Sequence, residues 1–203
     1  MSAAAQLPHL MTVAEFLAWN SPAGSDPDRW ELRDGHPIAM APSSPRHGAI
    51  AAQAARLLGN HLDGHPRCRV VVEPGVQPRV RAAHNARIPD LGVTCTPIGA
   101  DDRLMRDPVV LIEILSPSNP KDTWGNVWAY TTIPSVRELL VLHSMTRRAE
   151  LLVRQADGSW PADPAVLLAA GDDPVMLASI GFTASLAEFY RTVEKCLERR
   201  ERV

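Results

Sequence analysis

The sequence predicts an α/β fold with a mixed central β-sheet flanked by helices. Three observations carry that expectation. Apolar residues repeat at helical spacing from His47 to Leu62 and again from Ala184 to Arg202. Between those segments lie short β-branched or alternating runs: Arg69 to Glu73, Ile88 to Thr96, Pro108 to Leu115, Val136 to Leu142 and Ala149 to Gln155. One further helical segment, Asp122 to Thr131, falls among the strands, which is the order that builds a partly parallel sheet.

Each element has a local reason. Thr12-Val13-Ala14-Glu15 reads as a capping box opening a short helix on Val13, Phe16 and Leu17. Ser21 to Asp28 reads as a polar loop. Trp30 to Arg33 and Pro37 to Met40 alternate on either side of Asp34-Gly35, a hairpin signal. Ile50, Ala54, Leu57, Leu58 and Leu62 form the buried stripe of the long helix. Val76 to Val80 reads as a further strand, pushed to an edge by Pro78. Asp122 or Thr123 is the expected cap of the next helix. Gly158-Ser159-Trp160 closes a turn, and a short strand is expected at Val175 to Leu177. Leu186, Phe189, Tyr190, Val193 and Leu197 share one side of the last helix.

At 203 residues, with 45% hydrophobic and 22% charged residues, the chain is expected to form one domain, residues 1–203, with a proper core. No apolar run approaches the length needed to span a bilayer, and the N-terminus lacks signal-peptide character. The net charge of −2 argues against a polyelectrolyte binder. Cys68, Cys95 and Cys196 are an odd number without CxxC spacing, so neither a disulfide framework nor a zinc site is expected, and the reading is cytoplasmic. Nineteen of the 21 basic residues are arginine, leaving Lys121 and Lys195 as the only lysines available for chemistry.

The chemical signal lies in two acids on apolar runs. Asp90 sits in Arg87-Ile88-Pro89-Asp90-Leu91-Gly92-Val93, and Glu113 in Val109-Val110-Leu111-Ile112-Glu113-Ile114-Leu115. An ionised carboxylate in an apolar strand costs several kcal/mol unless it is paired or binds a metal. If the two runs are adjacent strands, the carboxylates converge on one divalent cation, with Glu31 as a third candidate. Mg²⁺ or Mn²⁺ suits such hard oxygen donors. The competing readings are a strand-end charge paired with an arginine for Glu113 and a turn-initiating Pro-Asp for Asp90. His47 and Arg46, at the start of the long helix, are candidates for phosphate contact, and a surface role is the alternative. His61 and His65 have i, i+4 spacing, but Gly64 and Pro66 break the helix, which argues against a metal site. Trp124, Trp128 and Tyr130 on one short helix suit base stacking, although core or dimer contacts are favoured.

Trp-Glu-Leu-Arg-Asp-Gly-His-Pro-Ile, Ser-Ser-Pro-Arg-His, Ile-Pro-Asp-Leu-Gly-Val, Leu-Ile-Glu-Ile-Leu-Ser-Pro-Ser and Ala-Tyr-Thr-Thr-Ile-Pro-Ser-Val-Arg-Glu occur in that order. Together they resemble the stand-alone restriction-endonuclease-like proteins of the Uma type, within the PD-(D/E)XK nuclease superfamily, over roughly residues 12 to 155. The resemblance implies a restriction-endonuclease-like core, a divalent metal and hydrolysis of nucleic-acid phosphodiesters. It maps the metal-binding acids onto Asp90 and Glu113 and further motif positions onto Glu31 and His47. Family members commonly carry a lysine on the helix after Leu-Ser-Pro-Ser; that position is Asn126 here, and Lys121 is the nearest substitute. The expectation is therefore a homodimeric, Mg²⁺- or Mn²⁺-dependent endonuclease acting on nucleic acid, with DNA as the expected substrate and no membrane association. The alternative is a catalytically impaired nucleic-acid-binding or assembly protein on the same fold.

Overall fold

The structure is a computed structural model that describes residues 9–19, 30–65, 67–168 and 173–198. The loop expected at Ser21 to Asp28 lies outside the described residues. A capping box starts α1 (Val13–Ala18): the Thr12 side chain accepts from the Glu15 amide, and Glu15 accepts from the Thr12 amide at 2.7 Å. The hairpin β1 (Trp30–Arg33) and β2 (His36–Ala39) turns at Asp34-Gly35, where both residues have positive φ, 49° and 83°. That is the turn whose twist suits a two-residue hairpin. Gly35 is required twice over, because a Cβ there would come within 2.7 Å of the Leu10 Cβ.

The long helix α2 (Pro45–Leu62) is capped by the Ser44 side chain, which accepts from the His47 amide, and Pro45 occupies its first turn. Next come β3 (Arg69–Val72), β4 (Leu91–Thr94) and β5 (Pro108–Leu115). Helix α3 (Pro120–Tyr130) then carries the chain across to β6 (Glu138–His143), followed by β7 (Arg148–Val153) and β8 (Ala165–Leu168). The hairpin β9 (Pro174–Leu177) and β10 (Phe182–Ser185) leads into α4 (Leu186–Glu198).

The six strands β3 to β8 form one sheet in sequence order. Only β5 and β6 run parallel; the other neighbours are antiparallel. A parallel pair needs a crossover, and α3 supplies it. Alternation in β5 divides its side chains between two cores. Val110, Ile112 and Ile114 join the cluster built from Ile50, Leu58, Phe189 and Tyr190 of α2 and α4. Leu111 joins the cluster of Val127 and Tyr130 of α3 on the opposite face. The chain is thus an α/β mixed sheet covered by helices on both faces, as the apolar patterning predicts.

Several expectations need correction. Val76 to Val80 is not a strand: Val76 makes a single antiparallel bridge to Arg87, and the chain then turns through Arg81 (φ 45°) into a 3₁₀ turn at Ala82–His84. Pro78 removes the amide that a longer ladder would use. Helix α3 starts two residues earlier than expected, at Pro120, with Asn119 as the flanking residue. The last helix starts at Leu186, because Phe182 and Ala184 face inward from a strand, not a helix. Cys68 and Cys95 are disulfide-bonded across the end of the β3–β4 ladder, contrary to the expectation of no disulfide. The reducing-compartment reading therefore loses the observation it rested on. No helix of the described residues is long and apolar enough to cross a membrane.

Candidate active site

The β4–β5 ladder positions the two acids. Leu91 pairs with Ile112, so one further step of the antiparallel register sets Asp90 opposite Glu113. Directly opposed residues share a face, with Cβ atoms about 4.5–5.5 Å apart. Asp90 precedes the strand, and its carboxylate turns back along the sheet: Oδ2 accepts from the Ile114 amide at 2.6 Å. Its Oδ1 accepts from His47 Nε2 at 2.8 Å, and His47 Nδ1 lies 3.4 Å from the Ser116 hydroxyl. With a carboxylate as partner, Nε2 is the nitrogen that carries the hydrogen.

Glu113 is buried, and its Oε1 accepts from the Tyr130 hydroxyl at 2.8 Å. Burial pushes its carboxyl well above the ordinary glutamate range, and the neighbouring Asp90 charge pushes it further. The Tyr130 hydroxyl and the Asn126 amide oppose that rise, whereas Glu31 adds to it. Tyr130 is raised well above an ordinary tyrosine, first by burial and then by Glu113, so it remains a hydrogen-bond donor.

Glu31 reaches the same place from the β1–β2 hairpin. Reciprocal bonds between the Leu32 and Ala86 main chains dock β1 against the segment leading into Asp90. Glu31 is 1% exposed and accepts from three donors: the Ile88 amide (3.0 Å) and Asn126 Nδ2 (3.2 Å) at Oε1, and Arg33 Nε (2.8 Å) at Oε2. Both oxygens are therefore engaged within the protein. Asp122, Asn126 and Tyr130 follow at i, i+4, i+8 on α3; the first two line the cleft, and Tyr130 lies buried behind them. Arg33 Nη1 bonds Asp122 at 2.9 Å, and the buried Arg87 bonds Asn126 and Asn85.

Beside these groups opens a cleft of about 980 Å³, whose walls include Glu31, Arg33, His47, Asp90, Glu113 and Asn126. Among the described residues, no group of three or more His, Cys, Asp or Glu side chains is gathered to hold a metal ion. The donor set is a carboxylate pair, and that fits Mg²⁺ or Mn²⁺, which take one or two carboxylates and complete their shell with water and phosphate oxygens. Burial and then the Asp90 charge disfavour the ionised form of Glu113, and a cation between the two acids would offset that charge repulsion.

The structure thus brings Asp90, Glu113, Glu31 and His47 together at one cleft. Lys121 is not among them: it is exposed on the first turn of α3 and does not line the cleft. Arg46 is turned onto the Ser144 carbonyl at 2.6 Å, where it ties α2 to the loop after β6. His61 bonds the Ile180 carbonyl at 2.8 Å, which accounts for it without a metal. Trp124 packs against the core beside α3, while Trp128 is 43% exposed. Sequence reasoning missed Arg33, Arg87 and the Tyr130 hydroxyl as parts of the site. The available signals were period-two spacing from Glu31 to Arg33 and helical spacing from Asn126 to Tyr130.

The family model of Uma2, described as a putative restriction endonuclease, matches residues 13–187. Among solved structures, the chain is similar to a putative nuclease belonging to DUF820 from Anabaena variabilis ATCC 29413. The TM-score is 0.68 at 15% identity, covering 89% of this chain and 98% of that one. A comparison with curated proteins finds no match.

Proposed function

The chain belongs to the Uma2 family, and on that premise we propose that it is a divalent-metal-dependent endonuclease hydrolysing nucleic-acid phosphodiester bonds, with DNA as substrate. The observation that carries the proposal is the placement of Asp90 opposite Glu113 at the cleft, where their mutual repulsion calls for a cation. Asp90 and Glu113 would hold Mg²⁺ or Mn²⁺, which supplies an acidified water and charge neutralisation at the phosphate.

The chain's own residues then have distinct tasks. The Ile114 amide and His47 hold the Asp90 carboxylate in one orientation. Tyr130 does the same for Glu113. Glu31 is a positioning residue: it fixes the Asn126 amide and the Arg33 guanidinium in the cleft wall.

The test is nicking of supercoiled plasmid with Mn²⁺. Wild type is expected to produce open circles, and Asp90→Ala and Glu113→Ala to slow this about 100-fold or more, because a metal's stabilisation of several kcal/mol is worth a tenfold factor per 1.4 kcal/mol. One observation favours a second reading, a protein that binds nucleic acid without turnover: a neutral, buried Asn126 occupies the α3 position at which the family resemblance implies a lysine. If wild type nicks no faster than Asp90→Ala, the second reading replaces the first.

A further inference from the structure

We propose that Arg33 is the phosphate-binding cation of this cleft and that Asp122 occupies its guanidinium until a substrate phosphate displaces it. The proposal rests on the nuclease reading and names a binding residue for it. Two arginines flank Asn126, the position at which an ammonium is lacking. Arg87 approaches from behind, through the Asn126 Oδ1, and is buried with its Nε unpartnered; it does not line the cleft. Arg33 shares the Glu31 carboxylate with Asn126, taking Oε2 while Asn126 takes Oε1, so its charge lies one carboxylate away. Unlike Arg87, it opens to the cleft: a quarter of its side chain is exposed.

The two partners of Arg33 are unequal. Glu31, with 1% of its side chain exposed, fixes Nε at 2.8 Å, which orients the guanidinium plane. Asp122, which bonds Nη1, has 58% of its side chain exposed, and an exposed ion pair contributes little. Burial lowers the Arg33 pKa, but the Glu31 and then Asp122 charges outweigh it, so the cation is firmly held. The acidic side chains of the lining are Glu31, Glu73, Asp90, Glu113 and Asp122, and among the described residues Arg33 is the one arginine or lysine that lines the cleft, so it is where a polyanion entering here meets a fixed positive charge. Guanidinium recognises phosphate through paired parallel hydrogen bonds. Arg33 has the fixed plane and the one exchangeable partner that such recognition needs.

The experiment is fluorescence anisotropy of a short labelled DNA duplex with Ca²⁺ in place of Mn²⁺, read as a salt series, beside thermal melts and plasmid nicking with Mn²⁺. Arg33→Ala is expected to weaken binding about tenfold and to reduce the salt slope by about 0.9, the signature of one lost phosphate contact. Arg33→Lys, which keeps the charge, should restore the slope while recovering only part of the affinity. Asp122→Asn should tighten binding several-fold, because it frees the guanidinium without removing it. An Arg33→Ala protein that melts normally and keeps the wild-type affinity and slope overturns the proposal, as does weaker binding by Asp122→Asn. If wild type nicks plasmid and Arg33→Ala nicks equally well, the proposal fails while the nuclease reading stands. If wild type neither binds nor nicks, both fail.

Discussion

Glu113→Gln is expected to make the metal-free protein more stable at neutral pH while removing its divalent-ion-dependent nicking. Glutamine has nearly the shape of glutamate and still offers an oxygen to the Tyr130 hydroxyl, but it carries no charge into the buried site. In the native protein, burial and then Asp90 raise the Glu113 carboxyl well above its ordinary value of 4.5. The folded state therefore binds this proton more tightly than the unfolded state. The associated stability is complete below the unfolded value near 4.5 and is lost as pH rises through the raised folded value. Wild type in EDTA should thus fall in melting temperature relative to Glu113→Gln across that window, at about 2–4 °C per kcal/mol for a chain of this size. Mn²⁺ should restore wild type alone, and more so at higher pH, because the metal takes the ionised form. Melts of the two proteins that run parallel across pH would show that Glu113 carries no such penalty.

Glu31→Ala is expected to have the largest effect on stability. The substitution strands three donors at once: the Ile88 amide, Asn126 and the Arg33 guanidinium. Removing one partner of a buried ion pair costs about 3–5 kcal/mol, which predicts a melting temperature lower by about 6–20 °C. Relief of the repulsion between Glu31 and Glu113 offsets part of this. The hairpin β1–β2 should loosen first, since Glu31 joins it to α3 and to the approach to Asp90. Hydrogen exchange at Leu32 and Ala86, whose main chains bond each other, would report that loosening. A shift under about 2 °C would mean that water replaces the carboxylate at little cost.

Much of this arrangement is legible in the sequence, and the limits have physical causes. The long helices and strands β3 to β7 follow from local periodicity, whereas β8 (Ala165–Leu168) is not expected from it. Asp90 and Glu113 are legible as a pair because each is out of place in its own apolar run. Their apposition depends on the β4–β5 register, which a single-residue slip would undo. The strand β10 escaped because Ala184 serves either period equally well, and sequence spacing alone does not separate an inward strand residue from a helix start. The Cys68–Cys95 bond escaped because an odd cysteine count does not announce that two of the three fall at one ladder end. The partners of Asn126 are hidden more deeply. Glu31 is 95 residues away and Arg87 is 39, so their convergence exists only after α3 has crossed over the sheet. Lys121 was singled out because it is near in sequence, whereas Arg33 is near in space.

The central claim is that two carboxylates from neighbouring strands share one divalent cation. Calorimetric titration of Mn²⁺ into the metal-free protein, repeated in buffers of different ionisation enthalpy, measures it directly. The account predicts one binding event that releases a proton as Glu113 ionises, and loss of that event in both Asp90→Asn and Glu113→Gln. Wild type that takes up no Mn²⁺, or either variant binding it as wild type does, would contradict the account.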